Sequence, residues 1–330
     1  MQTWLRALVA AMALTWPAAP SASAQEPIPF RVGISDAVNT VLPVWMAQEG
    51  GFYAANGLKV EIVNMGGGSR GAKALQAGTI DLMRVGMSSV VQANLAGGDL
   101  RLIASMSNVI RFVIATAPEV KTAADLKGGV IGVSSFGSES DSTVTLALER
   151  FGMTRADVTV KEYGGGAKRL AAVRAGEIKA TAINEPTTSQ AREQGVNILI
   201  DLAAEKIPWL FSGVVVRRAD LKQRRALIAR FMLAVIEGNY LALTDPARAK
   251  TVLARELNTK NQKNIDISYE DFRAQSPPDM DISMPGVENV LKISAGSGSR
   301  NPTDYIDGSA LAELRRMNVF GPLRRTYGLP

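Results

Sequence analysis

The 330-residue chain contains no cysteine and no histidine. The first absence excludes disulfides, thiol nucleophiles and a lipid-bearing cysteine behind a leader. The second removes Ser-His-Asp triads, and the two together remove the usual zinc sites. Carboxylates remain, but Glu139 and Asp141 lie in a hydroxyl-rich run without an evident partner. Asp279 and Asp281 lie in a Pro-rich stretch. Neither spacing recommends glycosidase or carboxylate-metal chemistry, and no metal or cofactor is expected.

Long apolar runs are also scarce. Arg6 precedes the run Ala7 to Trp16, and Ala22-Ser23-Ala24 supplies a small-x-small pattern. The run is shorter than the roughly 20 residues of a membrane-crossing helix. Residues 1–24 therefore read as a signal peptide cleaved ahead of Gln25, and no later stretch reads as a span. The expectation is an exported, soluble, periplasmic protein without a lipid anchor. Residues 1–24 carry one basic and no acidic side chain, so the remainder has 37 − 1 = 36 basic against 31 acidic groups, a net of +5. Arg224, Arg225, Arg230, Arg324 and Arg325 are scattered through helical patterns rather than interleaved with aromatics, which argues against a nucleic-acid partner.

What the chain does have is a segment written twice. Leu58 to Gly86 reappears as Ala156 to Asn184 at a spacing of 98. Gly66, Gly67 and Gly68 fall on Gly164, Gly165 and Gly166; Ala77-Gly78 falls on Ala175-Gly176; Val60 and Ile62 fall on Val158 and Val160. Each copy reads as strand, glycine turn, amphipathic helix ended by Gly, and second strand, a βαβ unit. A period near a hundred residues is too long for a solenoid. The reading is α/β: two similar doubly wound lobes with a cleft between them. Val32-Gly33-Ile34-Ser35 resembles Ile131-Gly132-Val133-Ser134 at a spacing of 99, extending the likeness.

In chain order, strands are expected at 31–35, 58–65, 80–85 and 100–105, with helices at 43–49, 70–77 and 88–95. Crossings between lobes are expected at 112–115 and 206–210, and a return strand at 211–216. The lobes are then 25–112 with 211–330, and 113–210. A helical region follows the return strand, with Asp245-Pro246 as an N-cap and Pro at N1. Residues 276–309 read as long loops, with a short helix near 310–317.

Gly66-x-Gly68-x-x-Gly71 meets the dinucleotide fingerprint locally, but the acidic residue about 20 positions on is replaced by Val90, Val91 and Gln92. Ala72 and Lys73 likewise break the phosphate-loop pattern. The glycine turns keep a physical meaning, because helix N-termini beyond the carboxyl ends of strands offer free N–H groups to an anion. Ser69, Ser88, Ser89, Ser134, Ser135 and Ser138 lie at that edge, as ligand contacts or as helix caps. Arg84, near the end of a strand in a sheet covered on both faces, is out of place unless at the cleft. It would pair with a ligand anion there, or pack its stem and reach solvent or an internal carboxylate.

Pro43-x-Trp45-x-Ala47-x-Glu49-Gly50-x-Phe52, then Asn56-Gly57-Leu58-x-Val60, resembles the opening of the nitrate/sulfonate/taurine-type substrate-binding proteins of ABC importers, in the superfamily of thiamine-precursor binders. Ala77-Gly78-x-x-Asp81, Asp125-Leu126-Lys127-Gly128, Ile131-Gly132-Val133 and Asn184-Glu185-Pro186 continue the likeness over about residues 30 to 215. The resemblance implies a type II periplasmic binding protein fold with a two-crossover hinge. It also implies a monomer that delivers a small molecule to an inner-membrane permease. Carried over by position, it places ligand contacts in the turns Ser35 to Asn39, Gly67 to Ser69, Gly86 to Ser89, Ser134 to Ser138 and Asn184-Glu185, with Ser35, Asn39, Gly67, Gly68, Ser69, Ser88, Ser89, Ser134, Ser135, Ser138, Asn184 and Glu185 as the candidates, to which Arg84 is added. Arg84 and Glu139 depart from a site for a simple inorganic anion and favour an organic acid or a ligand bearing both signs. The alternatives are an enzyme like the pyrimidine-precursor synthases of the same ancestry, whose cysteine-rich iron motif and histidines are missing here, and a ligand-sensing receptor subunit.

Overall fold

The computed structural model describes residues 26–329; the expected leader, 1–24, lies outside them. The first part of the chain runs β1 (Ile28–Ile34), α1 (Leu42–Glu49), α2 (Phe52–Ala55), β2 (Leu58–Asn64), α3 (Gly68–Gln76), β3 (Leu82–Val85), α4 (Met87–Leu95) and β4 (Leu100–Val109). Then come β5 (Val113–Thr116), β6 (Val130–Val133), α5 (Glu139–Arg150), β7 (Thr159–Glu162), α6 (Gly166–Arg174), β8 (Ala180–Ile183), α7 (Thr187–Glu193) and β9 (Asn197–Asp201). After β10 (Pro208–Arg217) the chain is helical: α8 (Asp220–Gln223), α9 (Arg225–Thr244), α10 (Pro246–Glu256), α11 (Gln262–Gln275), α12 (Met284–Ser294), α13 (Ser309–Arg316) and α14 (Phe320–Thr326).

The repeat is literal in space. The helix and second strand of one copy, α3 and β3, map onto α6 and β8 at a constant shift of 98 residues. Gly66 and Gly164 both take a left-handed backbone, φ 64° and 78°, which only glycine adopts freely. Two five-stranded sheets result, ordered β2-β1-β3-β10-β4 and β7-β6-β8-β5-β9. β1 is parallel to β2 and β3, and β6 to β7 and β8. The strand inserted beside β3 or β8 is antiparallel, β10 in one sheet and β5 in the other. Both sheets are therefore mixed, and each is completed by a strand arriving from the other lobe.

That insertion moves the crossings. Val113 to Ala115 belongs to β5, and Pro208 to Leu210 to β10, so the expected hinge segments lie largely within strands. The links between the two sheets that lie outside strands are 110–112, from β4 to β5, and 202–207, from β9 to β10. A second correction concerns residues 276–309, which contain α12 rather than loop alone. Ser283 caps it by accepting from the Gly286 N–H at 3.2 Å, with Pro285 in the first turn. Val287, Val290 and Leu291 bury its inner face.

A third correction concerns apolar runs: among the described residues α9 is long and apolar enough to cross a membrane, at mean hydropathy 1.5. It serves instead as a core helix. Phe231 stacks between Phe30 and Tyr53 at centroid distances of 5.5 and 5.6 Å, and Met232, Val235 and Ile236 are buried. A Cβ at Gly238 would stand 2.4 Å from the Pro43 carbonyl oxygen, so α9 and α1 cross backbone against backbone. The apolar cluster beneath α4 runs through Phe112, Trp209 and Phe211 into the second lobe without a break.

Candidate functional site

Between the sheets, at the carboxyl ends of β1, β3, β6 and β8, lies a cavity of about 60 Å³. Ser35, Gly67, Gly68, Arg84, Gly86 and Ser89 line it from the first lobe, and Ser134, Ser138, Glu139, Gly165, Arg169 and Asn184 from the second. Phe112 and Phe211, in edge contact at 5.1 Å, supply an apolar wall where the chain crosses. Gly86 and Asn184 are counterparts in the repeat, so both copies present the same turn to one space.

Two buried guanidiniums face this space. Arg84, 2% exposed, is held in mid-sheet with β1 on one side and β10 on the other, and donates to the hydroxyls of Ser35 and Thr40. Its Nε–H is buried without a partner. Burial draws its pKa down to about 10, against the attraction of Glu139 and Asp36. Arg169, on the first turn of α6, donates from Nε to the Thr181 hydroxyl at 3.0 Å, from Nη2 to the Ala182 carbonyl at 3.0 Å, and from Nη1 to the Gly164 carbonyl. Burial likewise lowers its pKa to about 10. Arg111, at the first crossing, pairs with Asp271; burial and then Arg84 lower its pKa to about 9. Ser89 adds a buried hydroxyl without a partner. Uncompensated buried donors lining a cavity favour an acceptor, and an anionic one most.

The acids here are already committed across the cleft. Glu139, from α5, accepts from the Ser88 N–H at 2.6 Å, on the first turn of α4, and from the Trp209 indole N–H at 2.7 Å. Burial nevertheless pushes its pKa up to about 7, outweighing those two donors. Asp36, after β1, accepts from the Gly166 N–H at 3.0 Å, at the start of α6. Each lobe thus places a carboxylate on a helix N-terminus of the other, where the dipole and free N–H groups favour negative charge. Both contacts need glycine. A Cβ at Gly86 would lie 2.2–2.4 Å from the Glu139 side chain, and one at Gly165 2.9 Å from Asp36 Oδ2. The third glycine-turn helix, α3, is met by Ser135, the repeat counterpart of Asp36, whose hydroxyl accepts from the Ser69 N–H at 3.4 Å. The helix N-termini, expected as open anion seats, are therefore filled by the chain's own oxygens.

Of the residues expected to contact a ligand, Ser35, Gly67, Gly68, Arg84, Ser89, Ser134, Ser138 and Asn184 line the cavity. The other five stand outside it. Asn39 donates to the Ser268 carbonyl and Asp271 beneath α11. Ser69 donates to the Phe136 carbonyl at 2.6 Å, and Ser135 answers it across the lobes. Ser88 is taken up by Glu139 and Ser294. Glu185 accepts from the Ser189 N–H at the start of α7, and burial raises its pKa. Arg169, Phe112 and Phe211 were not foreseen in the lining, and Asp36 only as one residue of the turn Ser35 to Asn39. Arg169 had a signal: its counterpart in the repeat is Gly71, whose missing side chain admits Met83, so the position faces inward.

The chain matches the NMT1/THI5-like family over residues 39–249. A riboflavin-binding protein of Chloroflexus aurantiacus is 29% identical over 215 residues, 63% of this chain and 60% of that protein, so the chain spans less than two thirds of its length. An Escherichia coli K12 protein named for binding aliphatic sulfonates is 30% identical over 64% of this chain and 75% of its own length. Among solved structures, the alkanesulfonate-binding protein of Xanthomonas axonopodis pv. citri bound to MOPS superposes with a TM-score of 0.69 at 22% identity, covering 81% of this chain and 91% of that one. A desulfurization enzyme shares the fold at a TM-score of 0.63 and 14% identity, over 88% of this chain and 99% of its own. The two relatives at 29–30% identity are named as binding proteins, while the enzyme is alike in fold only. This chain belongs to the NMT1/THI5-like family and has the two-lobed periplasmic-binding-protein fold.

Proposed function

We propose that the chain is the periplasmic solute-binding component of an ABC importer. It captures a small polar organic acid, a sulfonate or carboxylate, between the lobes 25–112 with 211–330 and 113–210, and hands it to an inner-membrane permease as a monomer. One observation carries the reading: Arg84 Nε and Ser89 Oγ, buried and unpartnered, sit on side chains lining a cavity that both lobes build. A ligand received there touches both lobes and favours the closed arrangement over an open one. Binding proceeds without turnover, the desulfurization fold notwithstanding, because the described acids near the cavity are held by backbone and indole N–H groups rather than facing each other as an acid and base pair.

The test is thermal denaturation across sulfonates, carboxylates, pyrimidines, amino acids and riboflavin, with mass spectrometry of the ligand recovered afterwards. A ligand at a hundred times its Kd raises stability by about 2.7 kcal/mol. Stabilisation by an acid recovered unchanged is the expected result. A chemically altered ligand moves the case to an enzyme, and stabilisation by none of the set removes the solute-binding reading.

A further inference from the structure

Asp36 stands at a wall between two spaces. It lines the inner cavity of about 60 Å³ with Arg84 and Arg169. It also lines, with Asn64, Gly66, Lys168 and Thr187, an outer groove of about 520 Å³. Gly165 is the other residue common to both linings, and Asp36 rests on it: its Oδ1 accepts from the Ala37 N–H at 3.0 Å and its Oδ2 from the Gly166 N–H at 3.0 Å. The carboxylate is thus pinned at both oxygens, one bond within its own lobe and one to the other. Small-molecule pockets ordinarily enclose roughly 300–1,000 Å³. The inner space is far below that range and the outer groove within it.

We propose that Asp36 is a length gate. With it seated on α6 the inner chamber takes a compact acid of a few non-hydrogen atoms, held by Arg84, Arg169 and Ser89, and longer tails are turned away from the outer groove. The inference rests on the cleft-binding reading and adds to it which residue sets ligand size. Since Asp36 and Glu139 fill the N-termini of α6 and α4, the ligand's acid is left to the side-chain donors, which lie deep in the inner chamber. A tail that leaves the chamber beside α6 must lift Asp36 from Gly166, which breaks a charge-assisted hydrogen bond and parts the lobes at that point.

Calorimetry on residues 25–330 with ethanesulfonate, hexanesulfonate, propionate and hexanoate tests this. The unaltered chain should bind the two-carbon sulfonate at least about tenfold more tightly than the six-carbon one, and propionate likewise over hexanoate. Asp36→Ala should join the two spaces and bring that ratio to near one, whereas Asp36→Asn, which retains an acceptor for the Gly166 N–H, should keep the discrimination. Should Asp36→Ala not fold, Gly165→Ala replaces it: its Cβ, 2.9 Å from Oδ2, displaces the same carboxylate and should level the ratio. Equal binding of short and long acids by the unaltered chain, or an unchanged ratio in the variants, overturns the gate and leaves cleft binding standing. Binding of riboflavin or another bulky solute with no response to either acid series also overturns the gate. Loss of all binding in the wider thermal screen sinks the cleft reading itself.

Discussion

Arg84 sits where a strand has least tolerance for charge, between β1 and β10, with its head turned to hydroxyls rather than to water. A guanidinium so enclosed is worth its desolvation only if something anionic completes it. Arg84→Ala should therefore weaken an acidic ligand by about 1.5–3 kcal/mol. Calorimetry on a variant with an intact melting transition checks this, and unchanged affinity would assign Arg84 to packing. Glu139 is the other residue with a measurable signature. Its pKa is raised by burial from 4.5 to about 7, so between those values the folded chain holds a proton that the unfolded chain has released. Stability from this group is fully present below pH 4.5 and is lost as pH rises towards 7. Melting temperature against pH should fall across that window, and Glu139→Gln should flatten the slope. Parallel curves for the two proteins would show that Glu139 is ionised in the fold. Part of this was legible: the misplaced charge of Arg84 follows from its place near the end of a strand whose sheet is covered on both faces. Asp36 was legible only as one residue of the turn Ser35 to Asn39, because its bond to the Gly166 N–H depends on an opposing helix that the local sequence does not state.

At the scale of elements, the two copies of strand, glycine turn and helix were legible because their grammar is local. Left-handed Gly66 and Gly164, and the stops Gly78 and Gly176, mark boundaries within one turn of helix. What stayed hidden was long-range. The return strand was expected at 211–216, but nothing within Val113–Thr116 or Pro208–Arg217 states that each inserts antiparallel beside β8 or β3 in mid-sheet. α12 was hidden by composition: Pro, Gly and Ser around it suggest loop, yet Ser283 and Pro285 form a helix start and Val287, Val290 and Leu291 an inner face. The crossing of α9 over α1 gives a sharp test. Gly238→Val must push the helices apart, since its first carbon already meets the Pro43 carbonyl oxygen at 2.4 Å. A loss of about 1–3 kcal/mol is expected from such overpacking, read as a lowered urea midpoint; an unchanged midpoint would mean that the helices separate freely. Gly86→Ala should act at the cleft instead, displacing Glu139 from Ser88 and weakening ligand binding more than it lowers the melting temperature.

The whole molecule is a clasp whose lobes meet through reciprocal contacts: Asp36 on α6, Glu139 on α4, Ser135 on α3. The internal repeat explains the reciprocity, since equivalent turns after β1 and β6 reach for equivalent glycine-turn helices. A bulky side chain in that seam should hold the lobes apart, so Ser135→Trp is expected to fold and to lose ligand affinity. Compaction on binding is the most direct test of the account. Small-angle scattering of residues 25–330, with and without a saturating acid that raises the melting temperature, should show a smaller radius of gyration in the bound form. An unchanged radius at saturation would contradict a clasp that closes on its ligand, and would leave the ligand on one lobe or in a cleft that is closed beforehand.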